Sequence, residues 1–230
     1  MIRSLLYCAS QEIACRGHRE TQSSSNQGNF LERVKLLAMY DPIIKDRLAC
    51  GPQNAQYTSH IIQNQLLHIL AQNVRKRICD QGKSAGVFSK MADKTKDASK
   101  QEQMSFVVWY VDMSKGETHE DFLAYIEAKS LDATSLASYI KDLLNRFDLD
   151  SMKIVSQGYD GASVMSGKCA GVQAIIRNFA PNAVYIHCYA HVLNLVLVDS
   201  CRSVSSASVF LTGGSLICVY GIFKGTCCMC

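Results

Sequence analysis

The chain has 230 residues, 48% hydrophobic and 19% charged, which excludes a disordered chain and fits one large domain or a domain with an appendage. A formal net charge of +4 is a mild excess, permitting a nucleic-acid partner without arguing for one. No run reaches the roughly 18 apolar residues of a membrane span. The opening "MIRSLLYCASQEIACRG" is cut off by Gln11 and Glu12 too early for a secretory signal. The 11 cysteines are unevenly placed. Cys8, Cys15, Cys50, Cys79, Cys169, Cys188 and Cys201 stand singly, while Cys218, Cys227, Cys228 and Cys230 crowd the end. An odd count without a secreted-domain rhythm favours reduced thiols.

Residues 1–29, rich in Ser, Gln and Asn, read as a polar, partly disordered lead. From Phe30 the pattern turns helical, with Phe30, Val34, Leu37 and Ala38 on one face, and Pro42 ends or restarts the helix. After a loop, Thr58 or Ser59 is placed to cap a helix carrying Ile62, Leu66, Ile69, Leu70 and Val74. Residues 30–85 are therefore expected to be an N-terminal helical region. Its closing "VRKRICDQGK" puts basic residues where the helix macrodipole favours them, and reads as a solvated helix end.

Beyond Gly86 the period shifts toward two. "VFSKMAD" predicts a strand ending at Asp93, and "QMSFVVWYVD" a second strand, with a hairpin turn at "SKGE". "HEDFLAYIEA" returns as a third. Leu136, Ile140, Leu143, Leu144 and Phe147 predict an amphipathic helix starting near Asp132. "MKIVSQGYD" and "NAVYIHC" are the fourth and fifth strands, each followed by a helix. The order predicts a mixed five-stranded α/β sheet with flanking helices over residues 86–204. Right-handed crossovers would then bring the first and fourth strands side by side.

That adjacency carries the main chemical expectation. Asp93 and Asp160 each end a strand, and neighbouring strands would bring their carboxylates together. Paired carboxylates offer hard oxygen ligands suited to Mg²⁺ or Mn²⁺, as phosphodiester chemistry on metal ions requires. His187, Cys188 and His191 form a second cluster. A structural zinc wants four ligands in close pairs, and Cys169 and Cys201 are isolated, so no zinc site is assigned. The aromatic stripe Phe106, Trp109 and Tyr110 is expected to be packing. "MSGKCAG" lacks P-loop spacing.

Taken together, "RGHRETQSSSNQGNFLE", "NAQYTSHIIQNQ", "FSKMADKTKDASKQEQMSF", "QGYDGASVMSGKCAGVQ" and "HCYAHVLNLVLVD" resemble the catalytic domain of hAT-type DNA transposases, in the zinc finger MYM-type protein 1-like branch. The resemblance implies a ribonuclease H-like fold over an incomplete core, with Asp93 and Asp160 as two of three metal-binding acids. It also implies a Cys-x-x-His, here Cys188 and His191, lining a DNA-facing pocket. Where the family usually reads Asp-Glu-Thr-Thr-Asp this chain has "DKTKD", so Lys94 and Lys96 are expected to compete with a metal for Asp93. The third acid, a Glu far downstream in the family, is expected to be missing. Residues 205–230 depart from the family as a Cys-rich tail.

The leading expectation is thus a transposase-derived core without strand-transfer activity, holding Mg²⁺ or Mn²⁺ weakly and needing no cofactor to fold. The alternative is a co-opted module binding protein or DNA, and a third reading is an active nuclease completed by an acid such as Asp97. DNA, protein partners or a homodimer are the expected company, with no membrane and no small-molecule substrate. The resemblance implies a nuclear location, with the cytoplasm as the other placement, and not secretion.

Overall fold

A computed structural model describes residues 1–21, 23–52, 56–96 and 99–202. The chain divides into two compact units, Met1–Val74 and Arg75 onward, rather than at the expected boundaries of 29/30 and 85/86. The Cys-rich tail of 205–230, with Cys218, Cys227, Cys228 and Cys230, lies outside the described residues, as does Asp97.

The first unit holds helices α1 (Ile2–Ser10), α2 (Asn29–Tyr40), α3 (Pro42–Ala49) and the start of α4 (His60–Ser84). Its core is Leu5, Cys8, Phe30 and Val34, with Ile44, Leu48, Leu66 and Leu67 packed around them. Each pair in that core sits three or four residues apart, the spacing that puts two side chains on one helix face. Residues 1–29 are therefore not merely the polar lead expected. Leu5 and Cys8 make α1 amphipathic, and the polar stretch after it is tied back onto α2. There the Phe30 N–H donates to the Cys15 carbonyl at 2.9 Å, and Asn29 Nδ2 to the Ala14 carbonyl at 2.8 Å. Between α2 and α3, Pro42 lacks an N–H and Asp41 accepts from the N–H groups of Ile43 and Ile44, so one helix stops and the next starts. Ser59 caps α4, accepting from the Ile62 N–H at 3.4 Å.

The second unit contains β1 (Phe88–Lys96), β2 (Glu102–Asp112), β3 (Glu117–Glu127), α5 (Ala133–Arg146), β4 (Ile154–Tyr159), α6 (Ser163–Ser166), α7 (Val172–Arg177), β5 (Val184–His187) and α8 (Tyr189–Arg202). The strands form one five-stranded sheet in the order β3-β2-β1-β4-β5. β1, β2 and β3 are antiparallel neighbours, and β4 and β5 run parallel to β1 and to each other. Gly116, at φ +69°, makes the β2–β3 hairpin turn that a side chain would strain. Asp132 starts α5 by accepting from the Ser135 N–H at 2.9 Å. The mixed five-stranded α/β sheet with flanking helices matches the expectation, with two short helices, α6 and α7, where one was expected after β4.

Alternation sorts the sheet into two faces. On β1 the residues Phe88, Lys90 and Ala92 are buried, as are Phe106, Val108 and Tyr110 on β2. This face packs under Leu136, Ile140, Leu143 and Leu144 of α5, Val172 and Ile176 of α7, and Ile78 and Cys79 of α4. The register rows of the other face run Met91, Val107, Phe122 and Ser89, Trp109, Glu120. Two of those positions are open: Trp109 is 43% exposed and Phe122 41%. Two bulges interrupt the ladders, with Leu123 extra on β3 and Val155 extra on β4. Among the described residues no helix is long and apolar enough to cross a membrane.

Candidate functional site

Parallel pairing of β1 with β4 runs Ser89 with Ser156, Lys90 with Gln157 and Met91 with Gly158. That pairing ends at Met91 and Gly158, two residues before Asp93 on β1 and two before Asp160 just past β4. Asp93 does not end its strand, as the sequence suggested, because β1 continues to Lys96 along β2. Its pairing with β4 does end at Met91, so Asp93 stands where β1 and β4 part. It is exposed, and its carbonyl accepts from Ser105 Oγ at 3.2 Å across β2. Asp160 is partly buried just past β4, and its carboxylate accepts from the Ala162 N–H at 3.4 Å.

The neighbouring strand end brings the second cluster to the same edge. The Cys188 N–H donates to the Tyr159 carbonyl at 2.9 Å, which ties the start of α8 to the residue before Asp160. His187 and His191 lie with ring centroids 5.5 Å apart. His187 also packs on Gly161: a Cβ there would meet its Cε1 and Nε2 at 2.6 Å. The glycine after Asp160 thus leaves room for the imidazole, which a Cβ would displace. Burial raises the Tyr185 hydroxyl above the ordinary tyrosine range, and the Asp160 and Cys188 charges push it the same way. Carboxylate, phenol and thiol therefore share one neighbourhood. Asp93, Asp160, Cys188 and His191 all gather at the carboxyl ends of the parallel strands, where open α/β sheets carry their sites. Gly161 and Tyr185 were not singled out from sequence. The Asp-Gly pair read as an ordinary turn, and only the β4–β5 pairing shows what Gly161 must clear.

Two sequence expectations are corrected. Lys94 and Lys96 were expected beside Asp93, as if "DKTKD" were a loop. In a strand, neighbours point to opposite faces, so both lysines are turned away from Asp93. Lys96 ion-pairs with Glu102 at 3.1 Å. The aromatic stripe was expected to be packing throughout: Phe106 and Tyr110 are buried, but Trp109 faces the open side. Cys169, considered as an extra zinc ligand, is a free, exposed thiol, and the Cys201 side chain lies outside the described residues. The double substitution Lys94→Glu, Lys96→Thr should change Mn²⁺ affinity by less than about threefold, the size of exposed-charge effects. Isothermal titration measures this; a tenfold gain would put the lysines back beside Asp93.

As a donor set, two carboxylates at one strand junction fit a single hydrated Mg²⁺ or Mn²⁺, ions that keep most of their waters and take one or two protein carboxylates. Among the described residues no three His, Cys, Asp or Glu side chains are grouped to hold a metal.

A mixed sheet with three antiparallel strands, two parallel ones added beside the first, and acids at the β1–β4 junction defines a ribonuclease H-like domain. The chain belongs to the family DUF4371, described as "ZMYM1/FAM200, RNase-like domain", which matches residues 1–171 of 230. That match includes Asp93 and Asp160 and stops before Cys188 and His191. Among solved structures, the chain is similar to LC11-RNase H1, isolated from compost by a metagenomic approach, at 18% identity, over 44% of this chain and 84% of that one, with a TM-score of 0.28.

Proposed function

We propose that this chain is a transposase-derived, ribonuclease H-like domain of hAT origin that retains two metal-binding acids and does not itself cut or join DNA. Asp93 and Asp160 hold one hydrated Mg²⁺ or Mn²⁺ weakly, and Cys188 and His191 line the surface that meets DNA in the nucleus. The β1–β4 pairing supports this most directly, because it makes the two strands parallel neighbours and ends two residues short of each acid, at the same end of both. A bound divalent ion would supply charge stabilisation for a phosphate oxygen. In-line displacement at a phosphodiester on two metals needs ligands on both sides of the phosphorus, more than two carboxylates provide.

The test is direct. The purified chain, titrated with Mn²⁺, should show one weak site. Given Mg²⁺ or Mn²⁺ and labelled transposon-end DNA, it should bind the DNA without yielding cut or joined products. Metal-dependent cleavage that disappears in Asp160→Ala would mean another carboxylate completes the site and the domain is an active nuclease.

The second reading, a module that binds protein, is favoured by the open face of the sheet. Trp109, Phe122, Tyr125, Val184 and Ile186 all lie on that face by register and are 40% exposed or more. Apolar surface left in water on this scale is characteristic of interaction sites. Sedimentation of the chain beside Phe122→Lys separates the readings: self-association relieved by the lysine supports the module, and a monomer in both cases leaves the DNA reading alone.

A further inference from the structure

Lys90 sits mid-strand in β1, with none of its side chain in water, on the face covered by α5 and α7. Its Nζ donates to the Tyr159 hydroxyl and lies 4.4 Å from the centroid of that ring. The Tyr159 hydroxyl donates onward to Gln157 Oε1 at 2.9 Å. The Gln157 amide then donates to the carbonyls of Gln173 at 3.1 Å and Ala183 at 3.0 Å. This relay joins β1, β4, α7 and the turn before β5.

An ammonium has three N–H donors, and two left unmatched in an apolar core would each carry a desolvation cost. Burial alone pushes the Lys90 amine well below the ordinary lysine range. The titratable groups on the covered face are Tyr159 and Tyr185 beside it, with Cys79, Tyr110, His119 and Asp121 toward the β2–β3 end. Lys94 stands at the rim. No charge from any of them adds to the effect of burial on Lys90.

Lys90 also stands close to the bulge that interrupts the β1–β4 pairing. Phe88 pairs with Ile154 and Ser89 with Ser156, so Val155 is skipped two residues before Gln157, the partner of Lys90. A slip of two residues keeps every side chain on its own face, so burial alone does not forbid it. Such a slip would carry Asp93 about 6.6 Å away from Asp160. The bond from Lys90 to Tyr159 runs diagonally, two residues beyond its register partner, and a slip that set Lys90 opposite Val155 would leave Tyr159 four residues, about 13 Å, along the strand.

We propose that Lys90 is a positioning residue: a fully buried amine whose relay through Tyr159 and Gln157 pins the β1–β4 register and so brings Asp93 to Asp160. The proposal rests on the metal reading above for its consequence, though not for the pin itself.

The test compares the chain with Lys90→Met, which keeps the unbranched stem, and with Tyr159→Phe, which keeps the ring and breaks the relay. Each variant is read three ways: Mn²⁺ affinity, cross-strand NMR contacts between Met91 and Gly158, and melting temperature from about pH 6.5 to 8.5, below the tyrosine range, with the cysteines common to every chain compared. A lysine with a lowered folded pKa leaves the unfolded chain binding more protons, so melting temperature rises with pH up to the ordinary lysine range. Lys90→Met should remove that slope. It should also weaken or shift the Met91–Gly158 contacts and lower Mn²⁺ affinity at least about tenfold. Unchanged contacts and affinity in both variants would overturn the proposal. If the unaltered chain binds no Mn²⁺, the metal reading fails by itself, and the contacts alone decide: lost contacts support the pin, retained ones reject it. Should Lys90→Met not fold, Tyr159→Phe carries the same outcomes.

Discussion

Asp160→Asn is expected to weaken Mn²⁺ binding by at least about tenfold while leaving the fold intact. The substitution is nearly isosteric and keeps an oxygen able to accept from the Ala162 N–H, so the turn after β4 survives. What it removes is one of two negative charges at the strand junction, and a hydrated divalent ion held by two carboxylates has little else to hold it. Asp93→Asn should act alike, and the double variant should bind no more weakly than a chain without a site. The nearby Asp97 lies outside the described residues, so Asp97→Asn is the informative control. If removing Asp97 costs as much as removing Asp160, the ion is shared by a third acid and the active-nuclease reading gains ground. Electron paramagnetic resonance of free Mn²⁺ gives the affinities, and circular dichroism checks that each variant is folded.

The second large effect is expected in the first unit. Gly28→Ala should destabilise that unit by roughly 3 kcal/mol or more, because strain and overlap act together. Gly28 has φ +94°, and a Cβ there would stand 2.0 Å from the Gly17 nitrogen. Neither backbone can give way without breaking the bond from the Phe30 N–H to the Cys15 carbonyl. Gly86→Ala is the matched control: its φ is +81° with nothing within 4 Å of the added carbon, so it carries strain alone, about 1–2 kcal/mol. Trypsin should cut Gly28→Ala rapidly at Arg16 or Arg19 and spare Gly86→Ala there. Equal resistance of all three chains at those sites would mean that the crossing of Gly17 and Gly28 does not hold the segment.

Much of the sheet could be read from local pattern. Period-two runs located every strand, Asp132 and Ser59 announced helix starts, and strand order alone put β1 beside β4. These signals are short in range, since a cap or an alternation is decided by a few neighbouring residues. The N-terminal helix escaped notice because its buried stripe is only Leu5 and Cys8, too short a pattern to outweigh the polar stretch after it. What closes that stretch is a contact between Gly17 and Gly28, which no periodicity reveals. The candidate site divides in the same way. That Asp93 and Asp160 belong to neighbouring parallel strands was legible from strand order. Where the lysines of "DKTKD" point was not, because it depends on whether those residues form loop or strand, and β2 decides that by pairing with them. Gly161, Tyr185 and Lys90 acquire their roles only in three dimensions. Each acts on a residue of another strand, and the sequence holds no record of which strand lies alongside, or in what register, until the sheet has formed.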